Sequence, residues 1–378
     1  MAGQTVGVGI VGAGFMARVH AAAVAACRQT MPGLGASAEL VAYCGRPETP
    51  ASALPAWPEL ADAAPVQGWE ALVSTPGVDL VCICSGNRSH AEIACAALRA
   101  GKHLLCEKPL ADSLAAARAM AAAAREAPGQ AAVSFNYRRV PAVALARAMI
   151  ESGEIGVPAR ARFAYLQDWG LEESLAGGWR FDPVEAGGGV LQDLGSHTVD
   201  LARYLLGESP AAVAATVAAH PVAEPAAAAA EPAAVLDAAA TVLARFPSGL
   251  TATFELSRVA PGNRNGLRFE IDGSEGSIRF SLERLNELEL AQGRSRGETY
   301  TRLFVTEADH PWMAGRRPPG HPIGWEDTFA FQAHDLLACL AEGREFVPSF
   351  RDGLAVQSVL AAAYAAAAAG RWQEVEAT

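Results

Sequence analysis

Lysine is what this chain most nearly lacks. Of 30 basic residues in 378, only Lys102 and Lys108 are lysine. A lysine that survives such a bias is a candidate for work a guanidinium cannot do, as a compact ammonium with a shiftable pKa. Chance survival is the competing explanation. Positive charge is scarce overall. The 41 Asp and Glu outnumber the 30 Lys and Arg, and the net charge of −11 argues against nucleic acid or anionic membrane as a partner.

Long hydrophobic runs are also missing. The apolar stretches are rich in alanine and short of the ~20 residues that cross a bilayer. No Lys or Arg precedes Arg18, so the N-terminal segment is unlike a secretory leader. No repeat of ~20–50 residues is visible, which excludes solenoids and propellers. Disulfides are not expected from 7 cysteines, an odd number spread thinly. Cys82, Cys84, Cys95 and Cys106 sit inside apolar strand or helix patterns, as free thiols of a reducing cytoplasm do. Apolar residues, at 51% against 19% charged, exclude a disordered chain. The length predicts about two domains at ~150 residues each.

Residues 1–130 read as an α/β domain. Strand-like runs at 6–11, 39–43, 78–84, 102–106 and 131–135 alternate with helix-like runs at 15–27, 89–100 and 113–127. That alternation is the signature of a parallel sheet. Gly101 suits the left-handed position after a helix. Residues 131–378 change character. Strand-like runs at 159–167, 239–246, 250–256, 267–272 and 276–281 predict an α+β domain with a mostly antiparallel sheet. One strong helix is expected over 191–206. The Ala/Pro-rich stretch 220–234 reads as an exposed loop or insert. Residues 326–342 and 353–369 are expected to be helices that pack back between the domains.

Gly12-Ala13-Gly14-Phe15-Met16-Ala17 fits G-x-G-x-x-G/A between a strand and a helix, the fingerprint of a dinucleotide site. Gly12 permits the tight turn, Gly14 the approach of a pyrophosphate, and Ala17 close helix–strand packing. A glycine-rich loop without a ligand is the alternative. At the ribose end, Tyr43-Cys44-Gly45-Arg46 carries no acid for the ribose hydroxyls. Arg46 can hold a 2′-phosphate, which leans the cofactor slightly towards NADP. Glu48 is nearby.

Cys106-Glu107-Lys108-Pro109 ends a parallel strand, where such sheets place ligands. Pro109 suits a cis peptide. A second signal is Gly187-Gly188-Gly189 followed by a helix bearing Asp193 and His197. Four residues apart, they share a helical face, and histidine moves protons near neutral pH. The triple glycine allows something to approach the backbone closely. Asp200 reads as packing or capping. A metal site is not expected, for want of third and fourth ligands at zinc-like spacing.

Gly12 to Ala17, Glu107-Lys108-Pro109 and Asp193-Leu194-Gly195-Ser196-His197, in this order, resemble the glucose–fructose oxidoreductase / inositol dehydrogenase (Gfo/Idh/MocA) family over nearly the whole chain. Segments 135–139, 165–169 and 179–181 are similar to its sugar-oxidising members. The resemblance implies a doubly wound Rossmann domain, then a domain with a large open sheet that forms a homodimer or homotetramer. It implies NAD(P) bound by Gly12, Gly14, Phe15, Met16, Arg46, Ser85, Asn87, His90, Glu107 and Lys108. Gly86 stands where the family more usually has proline. Lys108 would bind the reacting hydroxyl, His197 would take its proton, and Asp193 would orient or tune the pair. Tyr137, Gln167, Asp168, Trp179 and Arg180 would bind a sugar or polyol, with Tyr165, Trp169 and Trp179 offering flat faces. The implied activity is oxidation of a secondary hydroxyl of a sugar, anhydrosugar or cyclitol, in the cytoplasm. Two rivals remain: a hydrolase or lyase that retains its NAD, and a non-catalytic nucleotide sensor.

Overall fold

A strand buried on both faces needs apolar residues at every position. The first strand, β1 (Gln4–Val11), meets this condition from Val6 onward, with residues 6–11 all buried. The computed structural model describes residues 4–30, 36–172, 178–219, 236–293, 299–314 and 317–378. The segment 220–234 lies outside them. In chain order β1 is followed by α1 (Phe15–Thr30), β2 (Ala36–Cys44), β3 (Ala64–Pro65), α2 (Trp69–Ser74) and β4 (Leu80–Ile83). Then come α3 (His90–Arg99), β5 (His103–Cys106), α4 (Leu114–Glu126) and β6 (Ala131–Val133). These six strands form one parallel sheet in the order β3-β2-β1-β4-β5-β6. The winding direction reverses between β1 and β4, so the crevice for a dinucleotide opens at their carboxyl ends. Gly101 takes φ +74° after α3, and Ser113 caps α4 by accepting from the Ala116 amide at 3.3 Å.

The next elements are α5 (Pro141–Glu151), β7 (Pro158–Leu166), α6 (Pro183–Ala186), α7 (Val190–Asp193) and α8 (Gly195–Leu206). They are followed by β8 (Ala212–Ala219), β9 (Asp237–Arg245), β10 (Thr251–Ser257), β11 (Gly266–Gly273) and β12 (Gly276–Ser281). The chain closes with β13 (Glu287–Gln292), β14 (Thr301–Phe304), α9 (Trp325–Glu342), α10 (Phe350–Ala369) and β15 (Gln373–Glu374). A nine-stranded sheet runs β14-β13-β12-β11-β7-β10-β9-β8-β15. Its pairs are antiparallel except β7 with β10. Across one face, register aligns Arg162, Glu270, Arg279, Glu289 and Arg302 on five successive strands. The signs alternate along this row, and Glu270 lies 2.9 Å from both Arg162 and Arg279. Such exposed pairs contribute little each, ~0–1 kcal/mol, but they keep an open sheet face polar.

Two compact units result: Met1–Asn136 with Gly324–Leu354, and Tyr137–Ile323 with Ala355–Thr378. This differs from a single division at residue 130. Helix α9 belongs with the first unit because Phe329, Ala333, Leu336 and Leu337 form a buried stripe on it, and the helix packs on α1 and β2. The expected helix over 191–206 is two helices, α7 and α8, separated at Leu194. Gly195 is a weak helix former, and the Ser196 hydroxyl donates to the Asp193 carbonyl at 2.9 Å, a local bond that competes with a straight helix. Helix α10, with 20 residues, is long and apolar enough to cross a membrane by length and composition. Half of that stretch is buried inside the protein, as in the core helix of a globular domain.

Candidate functional site

In the first unit, the loop between β1 and α1 is shaped for a pyrophosphate. Gly12 sits at φ +127°, and a Cβ there would lie 2.7 Å from the Cys84 carbonyl oxygen. A Cβ on Gly14 would meet nothing within 4 Å. The first position therefore needs glycine for the turn, while the second leaves open space above the amides of the first turn of α1. No acidic residue stands in that turn to oppose an anion. Ala17 is buried against the sheet, and Phe15 is 70% exposed, stacked on Trp325 with ring centroids 5.9 Å apart. Met16 is half-buried. These residues fit a bound dinucleotide. Gly12→Ala is expected to weaken cofactor binding about tenfold or more, through ~1–3 kcal/mol of backbone strain. Fluorescence titration with the reduced cofactor measures this, and unchanged affinity would contradict the assignment.

Arg46 follows β2 with its side chain 71% exposed and a loose 4.0 Å contact to Glu48. Ser85 and Asn87 occupy the loop after β4, Ser85 half-buried and Asn87 buried. Ser85 Oγ accepts from Ser89 at 2.7 Å. His90 departs from the expected role. It is fully buried, with Nδ1 3.1 Å from the Pro109 carbonyl and Nε2 3.2 Å from the Ser85 carbonyl. Burial holds its pKa below the usual imidazole value, against the opposing pull of the Ser85 carbonyl and the Glu107 charge. His90 thus ties the loop after β4 to the turn after β5.

Glu107 departs in a similar way. It is buried, its Oε1 is 2.6 Å from His20 Nε2, and its Oε2 accepts from the Lys108 amide at 3.2 Å. Burial raises its pKa, but the His20 hydrogen bond and charge and the Lys108 charge outweigh it, so the net shift is downward. Lys108 is half-buried and joined to Pro109 by the cis peptide that the sequence suggests. The other lysine, Lys102, has a structural role, since its Nζ donates to the Val78 carbonyl at 2.7 Å.

In the second unit, α7 and α8 present Asp193 and His197. His197 is buried, with its ring 4.6 Å from that of Tyr137 and 5.8 Å from that of Tyr165. The two tyrosine hydroxyls lie 3.0 Å apart, and Tyr165 donates to Asn265 Oδ1 at 2.7 Å. Gln167 donates to the same oxygen at 2.8 Å and accepts from Trp169 Nε1 at 2.6 Å. Burial, then the neighbouring Tyr137, pushes the Tyr165 hydroxyl well above its ordinary pKa, so Tyr165 stays protonated. Tyr165 and Tyr137 are both buried, and Tyr165 therefore packs behind His197 instead of offering a flat face. Trp169 and Trp179 keep partial exposure.

Asp193 stands between two guanidinium groups, 3.6 Å from Arg258 and 4.0 Å from Arg180. Arg258 is only 2% exposed. It also donates to the Arg180 carbonyl and lies over Trp169. Arg180 covers the Trp179 ring at 4.3 Å, and Asp168 is 3.4 Å from Arg264. Asp200 is removed from this group by its buried ion pair with Arg138, whose Nε lies 2.9 Å from Oδ2. The triple glycine admits the chain itself. A Cβ on Gly189 would lie 2.0 Å from the Asp237 carbonyl oxygen. The Asp237 carboxylate accepts from the amides of Gly189 at 2.9 Å and Leu191 at 2.6 Å, and from Tyr364 at 2.8 Å. Arg258, Asn265, Asp237 and His20 carried no motif. His20 alone left a trace, as a polar residue in the buried stripe Ala17, Ala21, Val24 of α1. Among the described residues, no cluster of His, Cys, Asp and Glu could hold a metal.

Residues 6–135 match the oxidoreductase family with an NAD-binding Rossmann fold. Residues 143–279 match the GFO/IDH/MocA C-terminal domain. Levoglucosan dehydrogenase of Pseudarthrobacter phenanthrenivorans is 36% identical, with 98% of each chain covered. Inositol 2-dehydrogenase of Rhizobium meliloti is 29% identical, covering 95% of this chain and 96% of that one. The structure of levoglucosan dehydrogenase complexed with NADH and levoglucosan superposes with a TM-score of 0.90 at 34% identity, over 99% of this chain and 100% of that one. An oxidoreductase domain protein from Kribbella flavida gives 0.90 at 38% identity, over 99% and 100%. Glycine-shaped turn, parallel sheet and full-length similarity agree: the chain belongs to the GFO/IDH/MocA family of NAD-binding oxidoreductases.

Proposed function

We propose that the protein oxidises a secondary hydroxyl of a sugar, anhydrosugar or cyclitol with NAD(P). The observation that carries this reading is a cofactor loop, a strand-end lysine and an Asp/His pair together in one chain similar over its full length to levoglucosan and inositol dehydrogenases. Bound nicotinamide would accept the hydride from the carbinol carbon. The chain's residues handle the proton and the position. Lys108 Nζ hydrogen-bonds the reacting hydroxyl oxygen. An imidazole nitrogen of His197 takes the hydroxyl proton, and Asp193, held by Arg258, orients that step. Gln167, Trp169, Asp168, Trp179 and Arg180 bind the remaining hydroxyls and ring faces. The levoglucosan complex of the similar structure supports an anhydrosugar among the substrates.

Arg46 supports NADP as a partner beside NAD, since residues 43–47 contain no carboxylate. Arg46→Ala is expected to weaken NADP about tenfold, the loss of a charged hydrogen bond, and to leave NAD within about twofold. Competitive binding titrations read this, and equal effects on both cofactors refute the preference. The free cysteines support a reducing, cytoplasmic setting. Burial pushes Cys44 and Cys82 up to about 12, so neither serves as a nucleophile. The open sheet supports assembly as a homodimer or homotetramer.

The test is reduced-nicotinamide absorbance with purified protein, each cofactor, and a panel of sugars, anhydrosugars and inositols. Growth of the band with one substrate class supports the dehydrogenase. Cofactor binding without growth for any substrate refutes it and directs the next assay to glycoside cleavage.

A further inference from the structure

We infer that His20 and Glu107 form a buried couple that positions Lys108. This rests on the reading of Lys108 as the group that binds the reacting hydroxyl. Glu107 directly follows β5, and its carboxylate is turned into the first unit beside α1. One oxygen meets His20 Nε2 at 2.6 Å, and the other accepts the amide of Lys108 at 3.2 Å. His20 is 3% exposed and rests edge-on against Phe329 of α9, ring centroids 5.4 Å apart. A buried carboxylate is costly unless fully hydrogen-bonded. The His20 ring, the Lys108 amide and the Ser134 hydroxyl supply its partners.

The return for that cost is fixed geometry. The amide before the Lys108 side chain is held by Glu107, and the carbonyls of Pro109 and Leu110 after it are held by His90. The strand itself is anchored by the Glu107 amide on the Ile83 carbonyl at 2.9 Å. Lys108 is therefore pinned on both sides of its Cα by the side chains of Glu107 and His90, with His20 of α1 holding Glu107. His20 stands two turns into the helix that opens at Gly14. The helix that binds the cofactor is thus the one that positions the lysine.

Glu107→Ala and His20→Leu are expected to lower kcat about 10–100-fold, the scale of a reacting group misplaced by ~1 Å. Cofactor Kd should stay within about threefold, because both side chains are buried and engaged with each other. Glu107→Gln keeps an acceptor for the Lys108 amide and a partner for His20, so it should retain kcat within about threefold of the unaltered protein. The deciding measurement is a double-substitution cycle. In a Lys108→Ala background, Glu107→Ala should cost no further kcat. Equal loss with and without Lys108, or full activity of Glu107→Ala, overturns the inference. If Glu107→Ala does not fold, Glu107→Gln decides the matter, and a loss beyond tenfold there overturns it. Failure of Lys108→Ala to reduce kcat refutes the role of Lys108 itself and is read separately.

Discussion

Lys108→Ala is expected to reduce turnover at least a hundredfold while the cofactor still binds. In the mechanism proposed above, alanine would remove the hydrogen bond from Lys108 to the hydroxyl that ionises as hydride leaves, and with it the group that draws the substrate oxygen into place. Positioning and acid–base losses of this kind are each worth ~10²-fold or more. Cofactor affinity should hardly change, because the turn at Gly12 and the open space at Gly14 do not involve the lysine side chain. Lys108→Arg is a stricter version of the same test. This chain has arginine at almost every basic position, yet a guanidinium is larger and spreads its donors over a planar fork where an ammonium is a compact point charge. Arginine should rescue little of the activity. Wild-type turnover in either variant would remove Lys108 from the mechanism.

Asp237→Ala is expected to produce the largest loss of stability. The carboxylate is buried, accepts two backbone amides at the start of α7, and receives the Tyr364 hydroxyl. Burial and the Asp237 charge push the Tyr364 pKa well above the ordinary phenol value, so the hydroxyl remains a donor. Alanine leaves the buried Leu191 amide and the half-buried Tyr364 hydroxyl without their acceptor, and the Gly189 amide with only the Tyr364 oxygen at 3.3 Å. At ~1–3 kcal/mol each, partly relieved by relaxation, the cost is about 3–5 kcal/mol. Thermal unfolding should shift down by about 10 °C. Helix α7 ends in Asp193, so activity should fall as well, below the unfolding temperature. A shift of less than ~2 °C would show that water or a neighbour replaces the carboxylate without cost.

Much of the first unit is legible in the sequence because its physics is local. A continuous apolar strand, a glycine turn and an amphipathic helix are each visible within a dozen residues. Glu107-Lys108-Pro109 follows from the same reasoning, since parallel strands place their ligands at carboxyl ends. The return of α9 to this unit is not visible as such. Its stripe from Phe329 to Leu337 announces a buried face but not which unit buries it. The roles of Glu107 and His90 differ from expectation for a related reason. Membership in a motif suggests contact with the ligand, whereas both side chains are buried and hydrogen-bonded to the protein itself.

In the second unit the Asp/His pair stands out by spacing, yet its surroundings do not. Arg258 follows a strand, Asp237 begins one, and neither belongs to a pattern. Their importance comes from the register of the nine-stranded sheet and from where β9 and β10 end beside α7. The triple glycine is legible as a close approach. What approaches it is a carboxylate 48 residues away in sequence, which no local reading supplies. Tyr165 and Trp169 lie four residues apart, one buried and one partly exposed, and only packing separates them.

The most direct test of the account follows a deuterium atom. Substrates carrying deuterium on single carbinol carbons are incubated with the protein and its oxidised cofactor. The account predicts that deuterium from one ring position is recovered on the nicotinamide ring, one equivalent for each ketone formed. Deuterium lost to water, or a glycosidic bond broken while the cofactor is unchanged, would contradict it.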